Sequence, residues 1–188
     1  MAFVLAPPLV ERLPSRRQRQ RLAELDRLAA HLTGLERIRA VLAGASVVVA
    51  TGWVRRGWFS CRDEQGGEQL VTAHDAHLLT DRAVTGACLV GAVVQAGGGL
   101  AAVGTQPVQR ALDLTWHALH GDPDRPVRWC PAPAVRALHV RELTRWNDDP
   151  DRTADDVADL LARADRLAGI EIDRTRRGRT ALAGRAGA

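Results

Sequence analysis

The chain contains no lysine and no tyrosine among its 188 residues, so all 26 basic residues are arginine. Without lysine there is no Schiff-base nucleophile, no anchor for pyridoxal phosphate and no standard P-loop. Without tyrosine there is no phenolic general acid. Only three serines occur, Ser15, Ser46 and Ser60, and none lies in a G-x-S-x-G nucleophile elbow. Composition therefore excludes several enzyme classes before any motif is considered.

Cysteines and long apolar runs are also scarce. The three cysteines, Cys61, Cys88 and Cys130, are too few and too scattered for a disulfide framework, which favours a cytoplasmic protein. No apolar run reaches the length of a membrane span, so we expect no membrane contact. Residues 1–10 are apolar but short and are broken by two prolines, so we interpret them as a tail and not as a signal peptide.

Charge is distributed unevenly along the chain. The net charge is +6 over residues 1–58, −5 over 59–168 and +3 over 169–188, so basic ends flank an acidic middle. The first basic cluster consists of Arg16, Arg17, Arg19 and Arg21. Such clusters contact nucleic acid or an acidic protein, or simply keep a protein soluble, and the sequence leaves these alternatives open.

The spacing of apolar residues predicts a mainly α fold, a compact helical bundle with one small β-hairpin. Residues 1–14 are interpreted as an N-terminal tail, 15–168 as a single helical domain and 169–188 as a basic, disordered tail. The hairpin would pair residues 53–60 with 69–72 across a turn rich in glycine and acidic residues.

The first helix is predicted to begin at Ser15, because leucines recur at a/d-like spacing through Leu32, and the pattern continues to Leu42. The two stretches could form one long bent helix or two helices, and the stripe would serve either a helical homodimer or packing within a bundle. The segment Ser46–Phe59 is ambiguous. Its valine triplet, residues 47–49, favours a strand, while the helical run that leads into it favours a helix.

Three further helices are predicted. Thr85 would cap a buried, almost wholly apolar helix over residues 86–96. Residues 107–121 form an amphipathic helix that opens with proline and ends with glycine. Another helix covers about 134–143.

The most informative stretch is the polar turn of residues 143–153, which leads directly into a final amphipathic helix. Thr153 would cap this helix, with Asp156 reaching back as in a capping box. Gly169 would end it. The apolar face of this helix consists of Val157, Leu160, Leu161, Ala164, Leu167 and Ala168.

Residues 143–164, together with residues 86–92, resemble a family of uncharacterised domains common in actinobacteria and their phages. That family pairs a C-x-x-G-A helix with a downstream W-N-D-x-P-x-R-T turn, and the match spans roughly Leu35 to Ala168. This chain departs from the usual form around Pro150, where aspartates replace smaller residues. The resemblance implies a helical fold and transfers no activity. It highlights Cys88, Trp146, Asn147, Asp148, Arg152 and Thr153.

The turn is the first candidate site. Asn147 and Asp148 could present polar groups to a ligand beside Arg152, and Asp148, Asp149 and Asp151 could ligate Mg²⁺ or Ca²⁺. The alternative is structural. Trp146 would then fill the core while the Asn and Asp side chains satisfy backbone groups of the turn.

Cys88 is the second candidate. A helix capped by Thr85 would place Cys88 in its first turn, where the helix dipole lowers the pKa of a thiol and favours a nucleophilic thiolate. The alternative is a small apolar residue within a buried helix.

Two H-x-x-H pairs are the third candidate, His74 with His77 and His117 with His120. Spacing of i, i+3 places each pair on one helical face, and two facing pairs could bind zinc or iron. The alternative is a solvated polar face, since neither pair has the i, i+4 spacing of a zincin helix.

These observations favour a small cytoplasmic binding or accessory module that self-associates through its first helix. It would contact its partner through the turn Trp146–Thr153 and through the basic ends. The alternative is a small enzyme that uses Cys88 as nucleophile or a histidine metal site, with Asn147 and Asp148 positioning the substrate. The sequence identifies no cofactor.

Overall fold

The computed structural model describes residues 15–75, 79, 82–121, 126–127, 129 and 132–184, so the predicted tail of residues 1–14 lies outside the described residues. The main elements in chain order are α1 (Arg16–Thr51), β1 (Phe59–Arg62), β2 (Glu68–Val71), β3 (Val84–Ala87), α2 (Leu89–Ala96), α3 (Gln106–His120), α4 (Pro133–Asn147) and α5 (Ala154–Gly184). The predicted mainly α fold with a small β-hairpin is confirmed, and a third strand extends the hairpin to a small antiparallel sheet. Of the helices in the described part of the chain, none is long and apolar enough to cross a membrane.

Helix α1 is a single helix of 36 residues. It begins with a capping box, in which the backbone N–H of Gln18 donates to Ser15 Oγ and Ser15 N–H donates to Gln18 Oε1. The ambiguous valine triplet is helical, because Val49 and the neighbouring Ala45 are buried in the core and this packing outweighs strand propensity. The helix ends at Gly52, where an added Cβ would lie 2.5 Å from the Thr85 carbonyl oxygen.

Helices α1 and α5 run antiparallel and form the largest interface in the molecule. Arg39 of α1 makes a bidentate contact with Asp165 of α5, at 2.7 and 2.8 Å. The leucine stripe of α1 becomes buried from Leu32 onward, so it packs within the chain. Of the stripe's members near the start of the helix, Leu22 stays 55% exposed.

The sheet has the strand order β2-β1-β3. Strands β1 and β2 form the predicted hairpin, with Phe59 opposite Val71, although the paired residues start later than expected. Its turn is closed by Asp63, whose Oδ1 accepts hydrogen bonds from the backbone N–H groups of Gln65 (2.9 Å) and Gly67 (2.6 Å). Strand β3 was not predicted from the sequence.

The predicted cap of the second helix is wrong. Thr85 lies in β3, where its hydroxyl is 3.0 Å from Ser60 Oγ, and helix α2 begins three residues later than expected, at Leu89. The short run before the helix is drawn into the sheet because it pairs with β1. The rest of the prediction is confirmed, since residues 89–94 are all buried.

Helix α5 continues through Gly169, which we expected to end it, as far as Gly184. The six apolar positions predicted for its face are all buried. Ile172 and Thr175 extend that buried face, and these contacts with the core carry the helix past the glycine. The segment that we interpreted as a disordered tail is therefore helical up to residue 184.

The two remaining helices agree with the predictions at their starts. Helix α3 covers Gln106–His120 and carries Pro107 in its first turn, as expected. Helix α4 begins at Pro133 but continues to Asn147, about one turn further than predicted. Trp146 and Asn147 are consequently the last two residues of a helix, and the polar turn starts at Asp148.

Candidate functional site

Asn147, at the end of α4, is fully buried and uses its whole side-chain amide in hydrogen bonds. Its Oδ1 accepts from Trp53 Nε1 at 2.9 Å and from the backbone N–H of Leu89 at 3.0 Å. Its Nδ2 donates to the Val54 carbonyl oxygen at 3.2 Å and to Asp148 Oδ1 at 3.0 Å. One amide thus joins α4, the chain after α1 and the start of α2.

The contact with Leu89 has a clear structural role. The first N–H groups of a helix lack partners within that helix, and Leu89 is the first residue of α2. Cys88 is the N-cap of α2, and its Sγ accepts a hydrogen bond from Gly91 N–H at 3.3 Å. Two N–H groups at the buried start of α2 therefore have acceptors: Cys88 Sγ from the same segment and Asn147 Oδ1 from α4.

Asp148 and Pro150 attach the turn to the segment after α1. Asp148 Oδ1 accepts a hydrogen bond from the backbone N–H of Arg56 at 2.8 Å. Arg56 has a φ of 64°, in the left-handed region, and this bond holds it there. The neighbouring Arg55 donates through its guanidinium to the Pro150 carbonyl oxygen at 2.8 Å.

The end of the turn is also tied internally. The guanidinium of Arg152 lies 4.2 Å from the centre of the Trp146 ring, a cation–π contact. Thr153 caps α5 as predicted. Its Oγ1 accepts from Asp156 N–H at 3.2 Å, and its own N–H donates to Asp156 Oδ2 at 2.9 Å. The Asp156 carboxylate accepts from the backbone N–H and from the hydroxyl of Thr153, both at 2.9 Å, and these two bonds hold its pKa below the usual value.

We call residues 146–153, together with 53–56, the joint. Most of the polar groups that the sequence offered as ligands at the joint contact other parts of the same chain. These contacts agree with the structural interpretation of the turn, in which its side chains hold the fold and do not bind a ligand. The residues concerned are Trp146, Asn147, Asp148, Arg152 and Thr153. Across the described residues, no group of three or more His, Cys, Asp or Glu side chains is arranged to hold a metal ion, so Asp148, Asp149 and Asp151 form no cation site.

Cys88 is fully buried, and burial raises the pKa of its thiol to about 11. The expectation of a lowered pKa is wrong, because loss of hydration disfavours the thiolate more than the hydrogen bond from Gly91 favours it. The geometry therefore gives no support to Cys88 as a nucleophile. Cys61 is buried as well, and Cys130 lies outside the described residues.

Only the second histidine pair lies on a helix within the described residues. His74 lies in a bend after β2, where its N–H donates to Thr72 Oγ1 at 3.3 Å, and His77 lies outside the described residues. His117 and His120 do share α3, but both pack around the ring of Trp116. His120 Nε2 also approaches Glu142 of α4 at 3.6 Å.

Comparison with known proteins identifies the family of the chain. A model of a family of unknown function, DUF6197, matches residues 33–167, which is most of the chain. The chain belongs to this family. No curated protein and no solved structure matches it. The matched region includes both the joint and α2, so both segments that carried the resemblance lie within the DUF6197 domain.

A polar cluster that the sequence did not predict lies between α3 and α4 of the DUF6197 domain. Asp113 is 1% exposed, and its carboxylate contacts Arg136 Nε at 3.1 Å and His139 Nδ1 at 3.6 Å. The ring of Trp116 stacks on His139 with 3.9 Å between centroids, and its Nε1 donates to Glu142 at 2.5 Å. A buried carboxylate needs such partners, so the cluster stabilises the packing of the two helices.

Sequence periodicity could have pointed to Asp113 because it lies within the apolar face of α3, where a charged residue requires a partner. Nothing in the sequence identified Arg136 and His139 as that partner. Their contact with Asp113 depends on how α4 crosses α3, which the intervening proline-rich loop does not reveal.

A second feature lies outside the matched residues. We define the arm as residues 15–31 of α1 and 172–184 of α5. No residue of α1 before Leu32 is buried, and no described residue of α5 after Thr175 is buried, so the two helices continue beyond the core as an antiparallel pair. Arg21 joins them, since its guanidinium donates to the carbonyl oxygens of Leu182 (2.6 Å) and Ala183 (2.5 Å).

The arm carries nine arginines and three acidic residues. Its acids are partly neutralised from within, because Glu24 pairs with Arg27 and Asp173 lies 4.0 Å from Arg176. Arg174 pairs with Glu171, the residue of α5 that immediately precedes the arm. Within the arm, the exposed arginines that form no ion pair among the described residues are Arg16, Arg17, Arg19, Arg177 and Arg179.

Proposed function

We propose that this protein is a binding module whose contact surface is the arm and whose partner is polyanionic. The observation that carries the proposal is the concentration of five such unpaired arginines in the arm, which holds nine arginines against three acidic residues. Such a local excess of positive charge attracts multivalent anions and raises their association rate. The partner is thus recognised chiefly by its charge.

Both basic ends that the sequence predicted contribute to this surface. Arg16, Arg17 and Arg19 come from α1, and the antiparallel pairing brings Arg177 and Arg179 of α5 to the same arm. Arg21, the fourth arginine of the predicted contact cluster, serves differently. Its guanidinium caps the last carbonyl groups of α5, where a cation is favourable, and so holds the arm together.

The turn Trp146–Thr153, the other predicted contact surface, is less suited to binding. A contact surface needs polar groups that are free to reach a partner, whereas Asn147, Asp148 and Thr153 use theirs within the chain. We assign the turn to holding the fold. The module is placed in the cytoplasm because of its scattered cysteines.

The self-association predicted from the leucine stripe is not part of this proposal. The leucine stripe that suggested a helical homodimer is used against α5 from Leu32 onward. The arm would also bring like charges together in a symmetric dimer, which disfavours that arrangement at low salt. We therefore expect the isolated protein to be a monomer.

The proposal is tested by elution from immobilised heparin with a salt gradient. In the arm variant, Arg16, Arg19 and Arg177 are replaced by glutamine. In the matched body variant, Arg141, Arg163 and Arg166, which are also exposed but lie outside the arm, are replaced by glutamine. The arm variant should elute at clearly lower salt than the native protein, and the body variant close to it. Equal elution of the two variants would refute the arm as the contact surface.

A further inference from the structure

We propose that the polyanion bound by the arm is double-stranded nucleic acid, held through its phosphates without regard to sequence. This inference rests on the proposed function and adds the identity of the partner. Guanidinium groups form paired hydrogen bonds with phosphate oxygens, and such contacts supply binding free energy that does not depend on base identity. The arm offers five guanidinium groups for this purpose.

The arm lacks what an acidic protein partner would need. Protein interfaces are anchored by buried aromatic and aliphatic side chains at their centre, with charges at the rim. The arm contains no aromatic residue of the Phe, Trp or Tyr type. Its one large apolar side chain that is well exposed is Leu22. A surface of cations without an apolar centre suits a phosphate backbone better than a folded protein.

The same composition disfavours single strands and membranes. Proteins that bind single strands stack bases on aromatic rings, and the described arm has none to offer. A helix that binds a lipid surface inserts an apolar face, whereas Leu25 and Leu28 of the arm are already partly covered within the molecule. A duplex presents its phosphates on the outside and requires neither stacking nor insertion.

The dimensions of the arm agree with this partner. The contact of Arg21 with Leu182 fixes the antiparallel register, which places Arg177 roughly level with residue 26 of α1. From Arg16 to that level is about ten residues, or roughly 15 Å at 1.5 Å per residue. Along that length a DNA duplex carries about nine phosphate charges, because it has one charge per ~1.7 Å of axis. A duplex segment of that length therefore offers more phosphates than the arm has free arginines.

The number of free arginines gives the expected salt dependence. Each phosphate that is neutralised releases counterions and contributes about −0.9 to the slope of log K against log salt concentration. Five contacts predict a slope of about −4.5, and hence an affinity that falls roughly 500-fold between 50 and 200 mM salt. The arm variant, with two free arginines left, should have a slope of about −2.

The experiment measures binding of the full chain by fluorescence anisotropy at several salt concentrations. The probes are two labelled DNA duplexes of unrelated sequence and about 20 base pairs, long enough to cover the arm. A labelled poly-glutamate and vesicles of anionic phospholipid are measured in parallel. The native protein, the arm variant and the body variant are compared on every probe.

We expect equal affinity for both duplexes. The slope of log K against log salt concentration should be about −4.5 for the native protein and the body variant, and about −2 for the arm variant. Arm-dependent binding that is tighter for poly-glutamate or for vesicles than for the duplexes would overturn the inference and leave the proposed function intact. Binding to no probe, or binding that both variants weaken equally, would overturn the inference and the proposed function together.

Discussion

Replacement of Asn147 by alanine should destabilise the protein severely, because its amide satisfies buried groups from two other segments. The substitution leaves the buried Leu89 N–H and the half-buried Trp53 indole N–H without their acceptor. An unsatisfied buried donor costs about 1–3 kcal/mol. We therefore expect a loss of about 4 kcal/mol in the free energy of unfolding, including the small cavity left by the side chain.

The loss can be measured by urea denaturation and by thermal melting. In a domain of this size, 1 kcal/mol shifts Tm by about 2–4 °C, so the variant should melt about 8–16 °C lower. Asp151→Ala is the matched control, since Asp151 is an exposed residue of the same turn, and it should change stability by less than about 0.5 kcal/mol.

The variant Asn147→Asp tests the acceptor and the donor of the amide separately. The aspartate keeps an oxygen for Trp53 and Leu89 but loses the donor to Val54 and places a second carboxylate beside Asp148. Like charges at this distance favour protonation of one carboxylate, so the variant should be relatively more stable at acidic than at neutral pH. A loss below about 1 kcal/mol for Asn147→Ala would refute the reasoning that the amide holds the joint. If that stable variant also lost heparin binding, the turn would be the contact surface after all.

Three further predictions concern the core. Gly91→Ala should prevent the native fold, because the added Cβ would lie 1.9 Å from the Trp58 carbonyl oxygen, and circular dichroism would show the loss of cooperative melting. Cys88 should resist iodoacetamide at pH 8 until the protein is unfolded, since burial raises the pKa of its thiol to about 11, and rapid alkylation of native protein would restore the nucleophile hypothesis. Burial and the nearby Arg110 lower the pKa of His31 in the folded state, so its proton is bound more tightly by the unfolded chain and stability falls as pH drops below about 6.5. In His31→Gln the free energy of unfolding, measured by urea denaturation, should fall less between pH 7 and pH 5 than in the native protein. An unchanged pH dependence would contradict this assignment.

Elements with a strong periodic pattern or a local capping signal were predictable from the sequence. The apolar face predicted for α5 was correct at every position, and the predicted cap at Thr153 forms. These features depend on residues within a few positions of one another, and one sequence contains all the information they require.

Features that depend on distant partners were missed. Thr85 looked like a helix cap, but pairing with β1 places it in a strand. Gly169 looked like a helix end, but packing of the next turns against the core continues α5. Local propensity favours the predicted outcome at both sites by about 1 kcal/mol at most, and tertiary contacts outweigh a difference of that size.

The site was predicted only in part, for the same reason. The sequence identified Asn147 as important but could not tell a ligand-binding amide from one that is fully hydrogen-bonded within the fold, because Trp53 and Leu89 are distant along the chain. The arm shows the opposite case. Its arginines were visible in the sequence as two separate basic ends, and only the pairing of α1 with α5 brings them together in one arm.

The distribution of unsatisfied charge distinguishes the joint from the arm. At the joint, carboxylate and amide groups contact the backbone or one another, so a ligand could bind there only by displacing contacts that hold three segments together. In the arm, Arg16, Arg177 and Arg179 lie exposed without an acidic partner in the described chain, so a polyanion could bind without breaking an ion pair. Binding is favoured where it displaces only solvent and counterions, and this is the physical reason to look for the partner at the arm.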